Sequence, residues 1–277
     1  MVASGLLVSA CGLLLGIDPE LDVKASADAA PLSPDTSTLD GFRSPPVDAN
    51  PALPPPRRPP EGSYVYAVSG YDQLTGAVSY PRANYGPTCP VTITYIGTSC
   101  FELKLALRVD YEETMRLCIV DRDLVQDKGT RYQRFAGGLL PATTVRTTVE
   151  CKPGDVYLSS PLPAAPLFHD CMGNNSDPKS GDSGFRTFGK YTYVEDKTLM
   201  VMGGPVVTNH FLDDRTVSLS QTGSNVANWY FAAADGTLQQ LGRTVGINYN
   251  SVIGTVNYGE TMLMTLVSRP GSPDGGD

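Results

Sequence analysis

The sequence contains few of the residues that catalysis and nucleic-acid binding need. Only two of its 277 residues are histidines, His169 and His210, and its 21 lysines and arginines are outnumbered by 29 acidic residues. Contact with a phosphate backbone requires clustered basic side chains, and no basic stripe occurs along the chain. The composition therefore predicts no nucleic-acid partner and leaves only two positions for histidine-based catalysis.

Sequence motifs for cofactors and metals are also missing. The chain has no G-x-G-x-x-G, no phosphate-binding P-loop, no G-x-S-x-G and no H-E-x-x-H, which are the patterns that place backbone amides or nucleophiles against a substrate. It has no C-x-x-C or H-x-x-x-H spacing either, as a zinc site would need. We therefore expect neither a cofactor nor a metal.

One short motif is typical of a catalytic site. Gly181–Gly184 reads G-D-S-G, which surrounds the nucleophilic serine of trypsin-like proteases, with Ser183 in the serine position. A serine hydrolase also needs a histidine base and a carboxylate, but His169 lies only fourteen residues upstream and His210 follows the serine. The surrounding run Asn174–Gly184 consists of turn formers and predicts a surface loop. We expect no enzyme, and keep a hydrolase using Ser183 as the weakest alternative.

The first seventeen residues predict a membrane anchor or signal segment. Val2–Ile17 carries no charge, and as a helix it would span about 24 Å of a hydrocarbon core of about 30 Å. Val8-Ser9-Ala10-Cys11 resembles a bacterial lipobox, in which Cys11 would be lipidated, although the apolar run continues beyond it. Both alternatives tether the chain to a membrane and place the remainder outside the cytoplasm.

The next stretch, residues 18–61, predicts a disordered linker. It contains the run Ser44–Pro60, whose prolines fix φ and donate no hydrogen bond, so it favours an extended polyproline II spacer. A short disordered tail is expected at 271–277. We expect residues 62–270 to fold as one extracytoplasmic β-domain.

Within that domain the pattern predicts β-strands. In Cys100–Tyr111, alternate positions Phe101, Leu103, Leu105, Leu107 and Val109 are apolar, as in a half-buried strand. Tyr64, Tyr66 and Val68 alternate in the same way, and further strands are expected at Phe188–Asp196, Thr198–Gly203 and Pro205–Asp214. Asp235-Gly236 predicts a two-residue type I′ hairpin turn. We expect a mainly β domain with a curved antiparallel sheet, a half-barrel or barrel-like.

A faint internal repeat suggests two related halves. At a spacing of about 110 residues, Gly97 and Gly204 each precede a strand that is followed by a hairpin, an arginine and an alternating strand. The two arginines are Arg131 and Arg243. This duplication is a hypothesis, because regular hairpin lengths alone can produce such a pattern.

Several elements resemble a known group of proteins. They are the early cysteines, the C-x-P element Cys151-Lys152-Pro153, the strand Gly203–His210, and the hairpin that contains Trp229 and Asp235-Gly236. From about Gly62 to Pro270 the chain resembles uncharacterised actinobacterial envelope proteins of the LolA and LppX half-barrel type. That resemblance implies binding of acyl chains, although the two helices that fill such half-barrels are not evident.

The cysteines predict an oxidising compartment. Besides Cys11 there are five cysteines, so four can pair and one is left over. We expect Cys100 to pair with Cys118 across a hairpin and Cys151 to pair with Cys171, leaving Cys89 free.

The leading functional hypothesis is binding of an apolar or lipid-like ligand in the concave face of the sheet. Adaptable methionines and one tryptophan are the expected ligand-binding residues: Met200, Met202, Met262, Met264 and Trp229. The alternative is a non-catalytic protein-protein interaction or assembly module of the cell envelope. Under either hypothesis the membrane is reached through the N-terminal segment.

Overall fold

Strands dominate the chain from Gly62 to Ser268. A computed structural model describes residues 55–137, 141–177, 181–251 and 254–271, and these contain thirteen β-strands and no helix. The strands are β1 (Gly62–Gly76), β2 (Tyr80–Asn84), β3 (Thr88–Ile96), β4 (Cys100–Arg108), β5 (Tyr111–Val120), β6 (Asp123–Phe135), β7 (Thr143–Ser159), β8 (Leu167–Asp177), β9 (Gly181–Val201), β10 (Gly204–Leu219), β11 (Gln221–Ala232), β12 (Leu238–Ser251) and β13 (Gly254–Ser268). The expected mainly β class is confirmed.

Most of the predicted terminal segments lie outside the described residues. These are the apolar segment 1–17 with Cys11, the linker as far as residue 54, and residues 272–277 of the tail. Within the described part of the chain, no helix has the length and apolar character needed to cross a membrane.

The sheet closes on itself into a barrel. From β3 to β13 each strand pairs antiparallel with the next, β3 also pairs with β1, and β13 returns to pair with the other edge of β1, for example Met264 with Val68. β2 and β3 pair with successive parts of the same edge of β1, so together they act as one interrupted strand. The ring therefore has twelve strands, which settles the expectation of a half-barrel or barrel in favour of a closed barrel.

Side-chain alternation fills the closed end of the barrel with apolar groups. We define the closed end as the end where β1 begins and the β3–β4, β5–β6, β9–β10 and β11–β12 turns lie, and the open end as the opposite one. Inward positions near the closed end form a continuous core that includes Tyr64, Tyr66, Phe101, Leu103, Leu117, Leu124, Phe211, Phe231, Leu241, Met264 and Leu266. The predicted faces of β1 and β4 are confirmed, except that Val109 is fully exposed because β4 ends at Arg108.

The described end of the Pro-rich stretch covers the closed end. Pro56 and Pro59 are buried, the Tyr95 hydroxyl donates to the Pro59 carbonyl at 3.0 Å, and the Tyr64 hydroxyl donates to the Pro60 carbonyl at 2.8 Å. Residues 55–61 thus contact the barrel rather than only leading to it.

The hairpin of β9 and β10 extends beyond its neighbours at the closed end. The separate strands expected at Phe188–Asp196 and Thr198–Gly203 are one strand, because β10 pairs with β9 without a break from Gly204 to Leu219, apart from one register shift at His210. β8 ends its pairing at Leu167 with Tyr191, so the following residues of β9 continue past the end of β8, where Leu199 and Val201 pack against the closed-end core. We call residues 194–207 the projecting hairpin.

Both expected disulfides are confirmed. Cys100 is bonded to Cys118 and Cys151 to Cys171, and each pair joins directly opposite residues of adjacent strands. Cys89 is free and buried, and burial raises the pKa of its thiol to about 12.

Two predicted turns differ from the structure. The Asp235-Gly236 connection is longer than two residues, because Ala232 pairs with Thr237 and Asp235 keeps a negative φ while Gly236 has φ +72°. A type I′ turn needs positive φ at both positions, so that prediction is wrong. The loop expected at Asn174–Gly184 is also largely strand, since Asn174 pairs with Gly184 across the β8–β9 hairpin.

Strand order is compatible with the proposed repeat. Arg131 lies on β6 and Arg243 on β12, which are six places apart in a ring of twelve strands. The segments after Gly97 and Gly204 begin with β4 and β10, which are also six places apart.

Candidate functional site

A cavity occupies the barrel interior between the apolar core and the open end. Its volume is about 150 Å³, comparable with an engineered protein cavity that holds benzene. Its apolar floor includes Met115, Tyr157, Ala227 and Trp229, and its wall carries amides, hydroxyls and ion pairs. Wall residues such as Thr147, Asn175 and Asn225 are only half-buried, so the cavity communicates with solvent at the open end.

One wall is a network of ion pairs that spans the barrel. Arg243 on β12 donates through Nη1 and Nη2 to the two carboxylate oxygens of Glu113 on β5, at 2.9 and 2.8 Å, and through Nε to Glu260 at 2.7 Å. Arg131 lies opposite Glu113 in the β5–β6 pair, with guanidinium nitrogens 3.5 Å from Glu113 and 3.7 Å from Glu260. The Tyr111 hydroxyl donates to Glu260 at 3.0 Å.

This network keeps its carboxylates ionised. Burial alone would raise the pKa of Glu113, but the attraction of Arg243 and Arg131 outweighs burial and lowers that pKa to about 2. The same balance lowers the pKa of Glu260. Burial raises the pKa of Tyr111 well above its usual value, so its hydroxyl keeps its proton and remains a donor.

A second arginine organises the neighbouring wall. Arg215 on β10 donates from Nε to both oxygens of Asp213 at 2.9 Å, from Nη1 to Asp155 at 2.9 Å, and from Nη2 to the Tyr157 hydroxyl at 2.8 Å. Burial would raise the pKa of Asp213, but Arg215 outweighs that effect and lowers it. These contacts fix the Tyr157 ring at the floor of the cavity.

Hydrogen bonds at both ring nitrogens hold His169 in this wall. Its Nε2 lies 2.9 Å from the Val156 carbonyl, which can only accept, and its Nδ1 lies 2.8 Å from Nη2 of Arg215, which can only donate. Nε2 therefore carries the ring proton, and the imidazole stacks on Tyr191 with centroids 4.6 Å apart.

Two buried polar atoms that belong to the cavity wall have no partner among the described residues. They are the indole Nε1 of Trp229 and the side-chain oxygen of Asn225. Both residues face inward from β11, four positions apart. Tyr157 packs edge-on against Trp229 at 5.0 Å and Phe231 stacks on it at 6.0 Å, so the indole is held in place. The cavity thus offers one fixed hydrogen-bond donor and one acceptor.

The residues expected to bind ligand are dispersed. Met262 and Met264 are buried in the apolar core, while Met200 is 69% exposed and Met202 45% exposed on the projecting hairpin. Trp229 lines the cavity.

Ser183 lies far from both histidines along the sheet. Its backbone belongs to β9 and pairs with Asn175, six residues along β8 from His169, or about 20 Å at about 3.3 Å per residue. His210 pairs with Glu195, which is twelve residues from Ser183 along β9. The register does not bring a histidine to this serine.

The charged wall residues were not predicted as a site. Glu112-Glu113 lies within β5 and Asp213-Asp214 within β10, and a doublet within a strand places one carboxylate on each face. Glu113 and Asp213 point inward and meet Arg243 and Arg215. The sequence feature that indicates such a wall is an arginine at an inward position of an alternating strand. Arg215, between Asp213 and Val217 on β10, is an example.

One cluster has the composition of a metal site. Cys151, Asp155 and Cys171 place one ligand atom each within 4.8 Å of one another. Both sulfurs are joined to each other in the disulfide, and thiolates rather than disulfide sulfurs bind metals. This cluster therefore belongs to the covalent framework of the barrel.

Comparison with known proteins gives no relative from which a function can be transferred. No protein-family model, no curated protein and no solved structure matches this chain.

Proposed function

We propose that this barrel binds a small, uncharged, amphipathic molecule in its interior, without catalysis. The observation that carries the proposal is the pair of unpartnered polar atoms, Trp229 Nε1 and the Asn225 side-chain oxygen, on the wall of one cavity. Leaving a buried donor or acceptor unpaired costs about 1–3 kcal/mol each. A ligand with an acceptor near the indole and a donor near the amide removes that cost.

The size and lining of the cavity define the ligand further. A volume of about 150 Å³ fits one ring or a short chain rather than a whole acyl chain. The apolar floor suits the ring, as small-molecule sites combine apolar walls with a few polar groups. This narrows the expected apolar or lipid-like ligand to one with a short apolar part.

Charge balance supports an uncharged ligand. The guanidinium groups of Arg131, Arg215 and Arg243 are engaged by carboxylates on the same walls. A ligand carboxylate would compete with Glu113 and Asp213 for these arginines, and a ligand cation would compete with the arginines for the carboxylates. Neutral hydrogen-bonding groups avoid both costs.

The setting we propose is an exported, membrane-tethered domain. The two disulfides support an oxidising compartment, and the uncharged run Val2–Ile17 supports an anchor or lipoprotein-like tether. Flotation of the full chain with vesicles, with and without residues 1–17, tests the tether.

Trp229 is the only tryptophan of the chain, so its fluorescence reports on the site directly. Native mass spectrometry of the purified full chain should detect a bound small molecule. Titration with benzene, phenol and benzamide should change Trp229 emission, with phenol and benzamide binding tighter than benzene because each carries a donor for the unpartnered Asn225 oxygen. Asn225→Ala should weaken benzamide at least tenfold and leave benzene unchanged.

Ser224→Ala is the matched control, because Ser224 is the exposed neighbour of Asn225 on the same strand. It should bind all three probes as the parent chain does. Absence of both a co-purifying molecule and a Trp229 response to any of the probes would reject the proposal.

A further inference from the structure

The cavity wall contains further neutral polar groups that have no partner in the described part of the chain. Gln126 on β6 is only 8% exposed, and Thr187 on β9 is half-buried. Both side chains line the cavity, and no hydrogen bond from another described residue engages the Gln126 amide or the Thr187 hydroxyl. Buried polar groups are normally satisfied by protein, by water or by a ligand.

The Gln126 amide lies within the cavity because the wall beside it has no side chain. Gly129, three residues further along β6, also lines the cavity, and a Cβ at that position would lie 3.0 Å from Nε2 of Gln126. The amide therefore extends across the bare backbone of Gly129. It reaches the cavity from the wall opposite Asn225, because β6 and β11 are five places apart in the ring of twelve strands.

The unpaired groups surround the cavity, so a ligand with one polar edge cannot meet them all. Trp229 and Asn225 lie on β11, whereas Thr187 lies on β9 and Gln126 on β6. Phenol or benzamide carries its polar group on one side of a ring and leaves the opposite wall unpaired, which costs free energy. The ligand therefore needs hydrogen-bonding groups on several sides of its ring.

A hydroxyl matches each of these wall groups. The Trp229 indole requires an acceptor, the Asn225 oxygen requires a donor, and the Gln126 amide offers both. A hydroxyl donates and accepts, and it rotates to suit its partner. It can also donate to Glu113 while Arg243 stays bound, because a carboxylate has about four lone-pair sites.

The floor and the size of the cavity suit a saturated ring. A volume of about 150 Å³ holds one six-membered ring, and the rings of Tyr157 and Trp229 provide an aromatic surface on which its C–H face can pack. The lining continues toward the open end as far as Gln221, about 13 Å beyond Asn225 along β11 at about 3.3 Å per residue. Substituents of the ring therefore have room on that side.

We infer that the ligand of the proposed interior site, on which this assignment depends, is a cyclic polyol. Such a ligand is a saturated six-membered ring with hydroxyls around its edge, as in a pyranose sugar. Its ring packs at Trp229, and its hydroxyls bond to Gln126, Thr187 and Asn225.

Trp229 fluorescence titrations of the full chain test this assignment with rings that differ in their hydroxyls. Cyclohexanol carries a single hydroxyl and myo-inositol carries one on every carbon of the same ring, while methyl glycosides of glucose, galactose and mannose sample the pyranose configurations. At least one polyol should bind at least tenfold more tightly than cyclohexanol. Maltose and cellobiose distinguish a free sugar from the end of a sugar chain, according to whether the monosaccharide or the disaccharide binds more tightly.

Gln126→Met and Thr187→Val remove hydrogen-bonding groups with little change in side-chain size. Each should weaken the tightest polyol at least tenfold and leave phenol unchanged, because phenol donates to Asn225. Gln73→Met is the matched control, since Gln73 faces outward on β1 and the same substitution there should change no affinity. Because the two variants lie on different strands, the test survives if one of them fails to fold.

Three results would overturn the polyol assignment. Polyols that bind no more tightly than cyclohexanol, while phenol and benzamide bind, would leave the interior site with a ligand that has one polar edge. Unchanged polyol affinity in both Gln126→Met and Thr187→Val would place the polyol elsewhere. Tighter binding of uracil than of every polyol would assign the cavity to a planar heterocycle. A chain in which no probe changes Trp229 emission, phenol and benzamide included, would reject the interior site itself.

Discussion

Arg243 on β12 reaches across the barrel interior to hold both carboxylate oxygens of Glu113 on β5, at 2.9 and 2.8 Å. The contact joins strands that share no backbone hydrogen bonds. It fixes the width of the barrel at the level of the cavity.

Glu113→Gln should destabilise the barrel by about 3 kcal/mol, because removal of one partner leaves Arg243 buried with a missing counter-charge. Glu112→Gln is the control, since Glu112 is the adjacent residue on the outer face and contacts only the exposed Lys104 among the described ion pairs, at 2.8 Å. It should change the free energy of unfolding by less than about 1 kcal/mol. Urea denaturation measures both, and equal effects would contradict a special role for the cross-barrel pair.

Glu113 should also govern acid stability. Its pKa is lowered from 4.5 to about 2 in the folded chain, so its contribution is fully present above the unfolded pKa of 4.5 and is lost as pH falls toward 2. The parent chain should lose stability across that window more steeply than Glu113→Gln. Urea midpoints measured from pH 6 to pH 2 test this, and parallel curves for the two chains would refute it.

Reduction of the Cys151–Cys171 disulfide should be costly. The bond closes a loop of 20 residues, worth on the order of 3 kcal/mol in the chain-entropy account. The paired substitution Cys151→Ser with Cys171→Ser should therefore lower stability by about that amount. Non-reducing peptide mapping should recover Cys151–Cys171 and Cys100–Cys118 links, and a link that includes Cys89 would contradict the assignment.

Gly173→Ala should destabilise the β8–β9 hairpin. Phe185 lies directly over Gly173 in the strand pair, and an added Cβ would lie 2.1 Å from the Phe185 ring. We expect a loss of about 1–3 kcal/mol from the resulting strain. Gly204→Ala is the control because a Cβ there meets no atom within 4 Å. Similar thermal midpoints for both variants would show that the contact is unimportant.

Deletion of residues 1–54 should leave stability almost unchanged, while deletion of 1–60 should lower it by about 2 kcal/mol. The longer deletion removes the packing of the buried Pro56 and Pro59 and the Pro60 carbonyl that accepts from the Tyr64 hydroxyl, and loss of apolar burial and of a hydrogen bond both cost stability. Thermal unfolding of the two truncated chains compares them directly. Equal midpoints would mean that residues 55–60 do not stabilise the barrel.

Ser183 should not react with a fluorophosphonate. Activation requires a base at about 3 Å from the hydroxyl, and the strand register separates this serine from His169 by about 20 Å. Mass spectrometry after labelling should find an unmodified peptide. Stoichiometric labelling that is lost in His169→Ala or His210→Ala would restore the hydrolase alternative.

Local sequence patterns were sufficient for the strands and for the disulfides. A strict alternation such as Phe101–Leu107 reflects only neighbours on the same strand, and hairpins place Cys100 opposite Cys118 from short-range geometry alone. Closure of the ring could not be predicted from these local patterns. No turn connects β1 to β13, and their pairing depends on the total curvature of the sheet.

The polar wall of the cavity could not be predicted for a related reason. On the inner face, Arg243 lies between the apolar Leu241 and Val245, and Arg215 lies between Asp213 and Val217, so the sequence of each strand alone does not show what an inward arginine would contact. A charged residue at an inward position is acceptable only when a partner arrives from a distant strand. Those partners become visible only when the barrel is closed.

The seam between β1 and β13 joins the first strand of the barrel to its last. Until the last strand is available, every shorter piece of the chain carries two unpaired strand edges, which are templates for pairing with other chains. Contacts between such distant parts of a sequence also form slowly, because the whole intervening chain must be ordered before they contribute. The barrel therefore becomes resistant to aggregation only in its final step, when Gly254–Ser268 docks on Gly62–Gly76.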